Sequence, residues 1–148
     1  MKDLSHCVFL VQTDTTVGVL SKDSKKLYDI KKRDKDKPFL ISLGTFCELK
    51  SFTRVPKDFR KNIRRAKKTT FVYPDKKAVR VVDDVNHKEF LSRFGWQYST
   101  SANQSGRKFD FDYIKDKVDI IIHNPKGFSE KNSSTILQIG NKKIRRLR

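Results

Sequence analysis

YSTSANQSGRK, residues 98–108, gathers Ser99, Thr100, Ser101, Asn103 and Ser105 around one small apolar residue, Ala102, and reaches Gly106. Phe94, Trp96 and Tyr98 lead into it. Tyr98–Ser101 reads as a strand running out into a loop. A turn alone would not need so many hydroxyls. Hydroxyl, amide and backbone N–H groups collected at a strand-to-loop transition resemble a cradle for an oxyanion or a phosphate.

Three other stretches fit around that cradle. In QTDTTVG, residues 12–18, Thr13, Asp14, Thr15 and Thr16 pack polar groups at a strand end, and Gly18 permits close backbone approach; an ordinary Asp/Thr turn reads the same way. In KKRDKDKPFL, residues 31–40, Lys31 and Arg33 alternate and share a face if the segment is extended, although a solvated lysine run would also alternate. In AVRVV, residues 78–82, Arg80 is a charge inside an apolar strand. Such a charge is costly unless it is paired or holds a ligand.

The rest of the chain supplies the frame. Val8–Val11 reads as a strand and Asp14–Gly18 as the loop that breaks it. Ser24 caps a short helix in which Leu27 and Ile30 lie one turn apart. Phe39–Leu43 is strand-like after Pro38, and Thr45 caps a brief helix through Leu49. Pro56 occupies a helix N1 position, with Phe59 and Ile63 following at i, i+4. Thr70–Tyr73 and Ala78–Val82 are β-branched runs split by Pro74-Asp75, hence a paired hairpin. Asn86 with Glu89 starts a helix whose apolar face is Phe90, Leu91 and Phe94. His87, in its first turn, is expected to face solvent. Asp110 opens a short helix through Ile114, Val118–Ile122 is a buried strand, and Thr135–Ile139 and Ile144 close the sheet. Strands and helices alternate without segregating, so the expectation is one α/β domain over residues 1–148 with a mixed sheet.

The 148 residues are 36% hydrophobic and 34% charged, which suits a folded domain rather than a disordered chain. Lys and Arg outnumber Asp and Glu by 34 to 17, and a net charge of +17 attracts polyanions. Cys7 and Cys47 form no CxxC pair, which fits a reducing, cytoplasmic setting. The apolar run Cys7–Val11 is too short for a signal-peptide core, and no stretch approaches the ~20 apolar residues of a membrane span. His6, His87 and His123 show no metal-ligand spacing, so no protein-held metal is expected. There is no GxSxG, Walker A or GxGxxG. Triad, P-loop and dinucleotide-fold chemistries therefore lack their residues.

Taken together and in order, the motifs resemble the YrdC-like family, the L-threonylcarbamoyl-AMP synthases. The matching blocks are Thr13-Asp14-Thr15 with Gly18, Lys31-Lys32-Arg33 with Pro38, Ala78-Val79-Arg80, Thr100 through Gly106, Ser134-Thr135-Ile136-Leu137, and Leu147-Arg148. The S-A-N-x-S-G block is the most specific. The resemblance implies a single-domain α/β fold, a twisted mixed β-sheet flanked by helices. It implies a nucleotidyltransferase that uses ATP, L-threonine and bicarbonate to make threonylcarbamoyl-adenylate and pyrophosphate. That product feeds a tRNA-threonylcarbamoyl transferase machinery in tRNA N6-threonylcarbamoyladenosine synthesis. By motif position Lys31 and Arg33 hold the triphosphate, and Arg80 stabilises the reacting phosphate or carboxylate. Thr100, Ser101, Asn103, Ser134 and Arg148 bind the nucleotide, and Thr13 faces the threonine and bicarbonate pocket. Mg²⁺ travels with ATP, held by phosphate oxygens and water.

The chain also departs from the family pattern. Gln12 and Val17 stand for its Pro and Tyr, and Gln138 for an Asp. Arg65-Ala66-Lys67-Lys68 replaces W-P-G-P, and the loop before Ala78 is cut to Pro74–Lys77. Two alternatives therefore stand beside the synthase. One is a divergent member that binds double-stranded RNA or tRNA without synthase activity, through basic clusters at 60–68 and 142–148. The other is a nucleotide-binding remnant whose role is to contact a partner protein.

Overall fold

A computed structural model describes residues 3–148. Nine strands make one sheet among these residues: β1 (Phe9–Gln12), β2 (Val17–Ser21), β3 (Leu40–Leu43), β4 (Thr69–Val72), β5 (Ala78–Val81), β6 (Gln97–Ser101), β7 (Ile120–Ile121), β8 (Thr135–Ile139) and β9 (Ile144–Arg146). Their order across the sheet is β7-β1-β2-β6-β3-β5-β4-β8-β9. The sheet is mixed, as expected: β1–β7, β3–β5 and β4–β8 are parallel and the other neighbours antiparallel. Among the described residues five α-helices flank it, α1 (Ser24–Lys31), α2 (Phe46–Phe52), α3 (Arg60–Arg65), α4 (Val85–Phe94) and α5 (Phe111–Ile114), with a 3-10 turn, Lys57–Phe59, leading into α3. None of the described helices is long and apolar enough to cross a membrane.

Residues paired directly across strands share a face of the sheet. One face carries Leu10, Val19, Ile41, Leu43, Phe71 and Val79. Towards one end it is covered by Leu27 of α1 and Ile114 of α5; towards the other, by Leu49 of α2 and Ile63 of α3. Burying each such side chain contributes roughly 1.5–3 kcal/mol. The opposite face is covered only in part. There α4 sets Phe90 and Leu91 on Phe9, Val11 and Leu20. The remaining part of that face, over β3, β4, β5, β6 and β8, is left as a concave floor.

Three expectations need correction. Val17 and Gly18, expected in the loop Asp14–Gly18, open a fully buried strand, Val17–Ser21, third across the sheet. Its Gly18 pairs with Ser101 and its Val19 with Thr100. The true turn is only Thr13–Thr16, closed by the Thr13 N–H donating to the Thr16 carbonyl at 3.3 Å. Val118–Ile122 is not a solid buried strand: only Ile120–Ile121 pairs, at the sheet edge, with Ile121 42% exposed. Its apolarity serves the clusters under the edge rather than a central ladder. Two helix starts fall earlier than expected, since Asp23 caps α1 and Asp84 caps α4, and one falls later, since Pro56 leads only into a 3-10 turn, Lys57–Phe59, and α3 begins at Arg60. A carboxylate one or two residues upstream reaches the free N–H groups of the first turn better than Ser24 or Asn86 within it. Thr45 does cap α2, in a reciprocal capping box with Glu48.

Candidate functional site

The uncovered part of the sheet is a cleft of ≈ 220 Å³. The turn after β1 sends Thr13 and Thr15 into it, β5 sends Arg80, β6 sends Ser99 and Ser101, and β8 with the loop before it sends Ser134. Arg33, from the segment after α1, and the C-terminal Arg148 complete the wall. Three guanidiniums and a row of hydroxyls thus converge, and no Asp or Glu lines the cleft. The local reason is strand parity. Ser99, Ser101, Arg80 and Leu40 all sit in pairs that point to the concave side.

Arg80 is anchored inside the protein. Its side chain is 3% exposed, and Nη2 lies 3.2 Å from Asp14 Oδ1, itself on a side chain 5% exposed. Nη1 donates to Thr15 Oγ1 at 3.0 Å. His87 Nδ1 approaches the same Asp14 oxygen at 3.4 Å, from a side chain with 0% exposure. Angles are poor in this trio: Asp14 Oδ1, Arg80 Nε and both His87 nitrogens are buried without a hydrogen bond. Attraction between opposite charges, rather than hydrogen-bond geometry, holds Arg80 to Asp14; His87 packs against the same oxygen. Burial raises the Asp14 carboxyl, but His87 and Arg80 beside it outweigh burial, so its pKa ends below the ordinary value. Burial drives the His87 imidazole down despite Asp14, which leaves it neutral.

Arg33 is only half-buried. It lies over the Phe39 ring at 5.1 Å and donates weakly from Nη2 to the Pro38 carbonyl at 3.4 Å. Its Nε has no partner. Ser134 Oγ and Thr70 Oγ1 share a hydrogen bond of 2.9 Å, and Arg148 grips the Ser134 carbonyl through Nε and Nη2 at 3.2 and 3.1 Å. Arg148 is thereby fixed at the cleft wall beside β8.

Lys31 and Asn103 stand differently from the other residues singled out in the sequence. Lys31 Nζ donates to the carbonyls of Ser101 and Asn103, so two of its three N–H groups hold the loop after β6. Burial, and then Arg33, push its pKa down. Asn103 turns its amide inward, donating to the carbonyls of Gln104 and Arg107. Both residues shape the loop; neither lines the cleft, whereas Thr13, Arg33, Arg80, Ser101, Ser134 and Arg148 do, and Thr100 reaches it with its backbone, its side chain lying with Val19 on the covered face.

The sequence reading missed His87, expected in solvent and found fully buried behind the cleft wall, against Asp14. A first-turn position gives no warning, because the burial comes from how α4 docks on the sheet. It also left Asp14 and Thr15 without a role. The signal for both was present, since a buried Arg80 required an acid and Thr13–Thr16 offered the nearest polar cluster.

Gly18 sits where β2 passes beneath the turn. A Cβ there would lie 2.8 Å from both Leu20 Cδ1 and Thr13 Cγ2, closer than side chains pack. Gly18→Ala is expected to lower stability by about 1–3 kcal/mol and to displace Thr13. Urea unfolding measures the first effect; a change under 0.5 kcal/mol, roughly the size of a neutral surface substitution, would show that the turn yields freely.

The family model for Sua5_yciO_yrdC, described as "Telomere recombination", matches residues 7–148. None of the curated proteins matches the chain in sequence. Among solved structures, it is similar to P. abyssi Sua5 complexed with L-threonine (18% identity, TM-score 0.80), covering 96% of this chain and 50% of that one. It is similar to E. coli YciO (18% identity, TM-score 0.80), covering 97% and 82%. It is also similar to full-length HypF in the phosphate- and nucleotide-bound form (15% identity, TM-score 0.78), covering 96% and 26%. The chain thus spans about half the length of the P. abyssi protein, and at these identities the likeness is one of fold.

Proposed function

The chain belongs to the Sua5/YciO/YrdC family, and from that premise we propose that its cleft joins ATP, L-threonine and bicarbonate into threonylcarbamoyl-adenylate and pyrophosphate. The observation that carries this reading is the meeting of Arg33, Arg80 and Arg148 with serine and threonine hydroxyls in one cleft lined by no carboxylate. Such a lining suits a triphosphate and a carboxylate together. The threonine in the P. abyssi Sua5 complex and the phosphate and nucleotide in HypF are consistent with it.

The chemistry needs no protein nucleophile. The threonine amine combines with bicarbonate, losing water, to give a carbamate. A carbamate oxygen then attacks the α-phosphorus of ATP. The bond from that phosphorus to the bridging oxygen breaks, and the electron pair leaves with pyrophosphate. The protein's part is to align two anions and to offset charge on the leaving group. Arg33 and Arg148 meet the phosphates, Arg33 as a planar fork. Arg80, held by Asp14 and Thr15, fixes positive charge in the wall. Ser101, Thr100 and Ser134 offer groups to the nucleotide, and Thr13 faces the threonine and bicarbonate. Lys31 and Asn103 serve by holding the loop that presents Ser101. Mg²⁺ would arrive with ATP, held by its phosphate oxygens and water, and would offset charge on the leaving pyrophosphate. The adenylate then passes to a tRNA-threonylcarbamoyl transferase machinery.

Incubation with MgATP, bicarbonate and threonine should release pyrophosphate only when threonine is present. Release that ignores threonine, or no release, overturns the synthase reading.

A second reading, a family member that binds tRNA or double-stranded RNA without synthesis, is favoured by the +17 charge and by exposed Lys142, Lys143, Arg145 and Arg146 around β9. Affinity for an RNA duplex should then fall linearly in log–log terms with salt, because each neutralised phosphate releases counterions. A flat response removes it.

A further inference from the structure

Away from the cleft, on the side of the sheet that α2 and α3 cover, lies a groove of ≈ 420 Å³. Its floor is aliphatic: Leu49 from α2, Ile63 from α3, and Val55 from the segment between them. Phe46 stands at its mouth, 39% exposed. Its rim is cationic, with Lys50, Arg54, Arg60 and Arg64 around the opening and no acid in the lining. Residues 50–68 hold nine Lys and Arg against one acid, Asp58. All nine cations are exposed, and among the described residues only Lys67 is in an ion pair, with Asp83 at 4.0 Å. An apolar slot ringed by unpaired like charges gains nothing for the isolated fold, since the cations repel one another. Leu49 and Ile63 are only 3% and 4% exposed, so the apolar surface the slot presents is chiefly Phe46 and half-buried Val55; an apolar patch with a charged rim is the usual mark of an interaction surface.

We propose that the α2–α3 groove docks an acidic amphipathic helix of a partner polypeptide. Aliphatic side chains on one face of that helix fill the slot over Leu49, Val55 and Ile63, and carboxylates on its flanks meet Lys50, Arg54, Arg60 and Arg64. Charge complementarity selects an acidic partner, and the aliphatic floor selects a peptide over a nucleic acid. Single-stranded bases need flat aromatic faces to stack on, and Phe46 is the one aromatic residue in the lining; an RNA duplex would meet the cations through its phosphates alone and leave the slot unfilled, which is why the duplex is one arm of the test. The geometry is helix-in-groove recognition, read by anchors at i, i+3, i+4 and i+7.

The test uses the full chain and a fluorescein-labelled synthetic peptide with leucines at i, i+3, i+4 and i+7 and glutamates elsewhere. A composition-matched scramble, polyglutamate of equal charge and an RNA duplex serve as comparisons. The leucine–glutamate peptide should bind at least about tenfold more tightly than the scramble or polyglutamate. Arg60→Glu/Arg64→Glu should loosen it by about tenfold or more, and Phe46→Ser by a smaller factor. Amide shifts should move at Leu49, Val55 and Ile63 and stay put at Thr13 and Ser134. The altered residues are exposed, and thermal melts of the variants show whether the fold is intact. Equal binding of scramble and peptide, indifference to charge reversal, shifts confined to the cleft, or displacement of the peptide by the RNA duplex would each overturn the proposal. All of these readouts are independent of whether the cleft makes an adenylate.

Discussion

Asp14→Ala is expected to lower the unfolding free energy by about 3–5 kcal/mol, because it strands Arg80 as a buried, uncompensated charge. Few single changes in this chain should cost as much. A small domain has only about 5–15 kcal/mol to lose, and Arg80 is 3% exposed with Asp14 as its one acidic partner. Urea unfolding at neutral pH gives the value. Asp14→Ala/Arg80→Met should recover much of the loss, since an apolar side chain of similar length tolerates the site better than a lone cation. A loss near 1 kcal/mol for Asp14→Ala would mean that water reaches Arg80 and that the pair does not anchor the cleft wall. Acid should expose the same trio in two stages. His87 is held below its ordinary 6.5 by burial, so the unfolded chain takes up its proton first and stability falls as pH drops below 6.5. Asp14 is also depressed, from 3.8. Its contribution is complete above that pH and is lost as pH falls towards its folded value. His87→Gln should remove the first stage and leave the second.

How far the sequence disclosed this site depends on what kind of force made each part. Local forces were legible. The β-branched runs at Thr70–Tyr73 and Ala78–Val82 pair as a hairpin, the Thr45–Glu48 capping box starts α2, and Tyr98–Ser101 becomes β6. Motif order brought Thr13, Arg33, Arg80, Thr100, Ser101, Ser134 and Arg148 to one wall. What could not be read arises from tertiary docking. His87 is buried because α4 lies across β1 and β2, a contact with no echo in its own helix. Lys31 looked like a free phosphate ligand, yet the loop after β6 returns close enough to use two of its protons. Val17 and Gly18, expected in the loop Asp14–Gly18, are the first residues of β2, because the turn closes two residues sooner. The close backbone approach expected at Gly18 is present all the same, crowded by Thr13 and Leu20.

Arg33→Ala should reduce threonine-dependent pyrophosphate release by roughly 10²–10³-fold, the size of effect seen when one preorganised donor to a developing charge is removed. Folding should hardly change. Arg33 is half-buried, and what it gives the fold is a stacking contact on Phe39 and a long hydrogen bond to Pro38, together worth about 1 kcal/mol. That contrast sets it apart from Asp14 and Arg80, whose removal damages structure and turnover together. Arg33→Lys keeps the charge but loses the planar fork and the unpartnered Nε–H, so it should restore only part of the rate. Lys31→Met is the informative companion. Its ammonium spends two protons on the carbonyls of Ser101 and Asn103, so its loss should act by loosening the loop. The Michaelis constant for ATP should rise and the loop amides from Ser101 to Gly106 should exchange faster with solvent, which Arg33→Ala leaves unchanged. If both variants lower the rate equally and leave loop exchange untouched, Lys31 contacts the phosphates directly. If Arg33→Ala keeps full activity, the phosphates lie elsewhere and the cleft reading fails, because Arg33 is the least encumbered guanidinium that the wall offers.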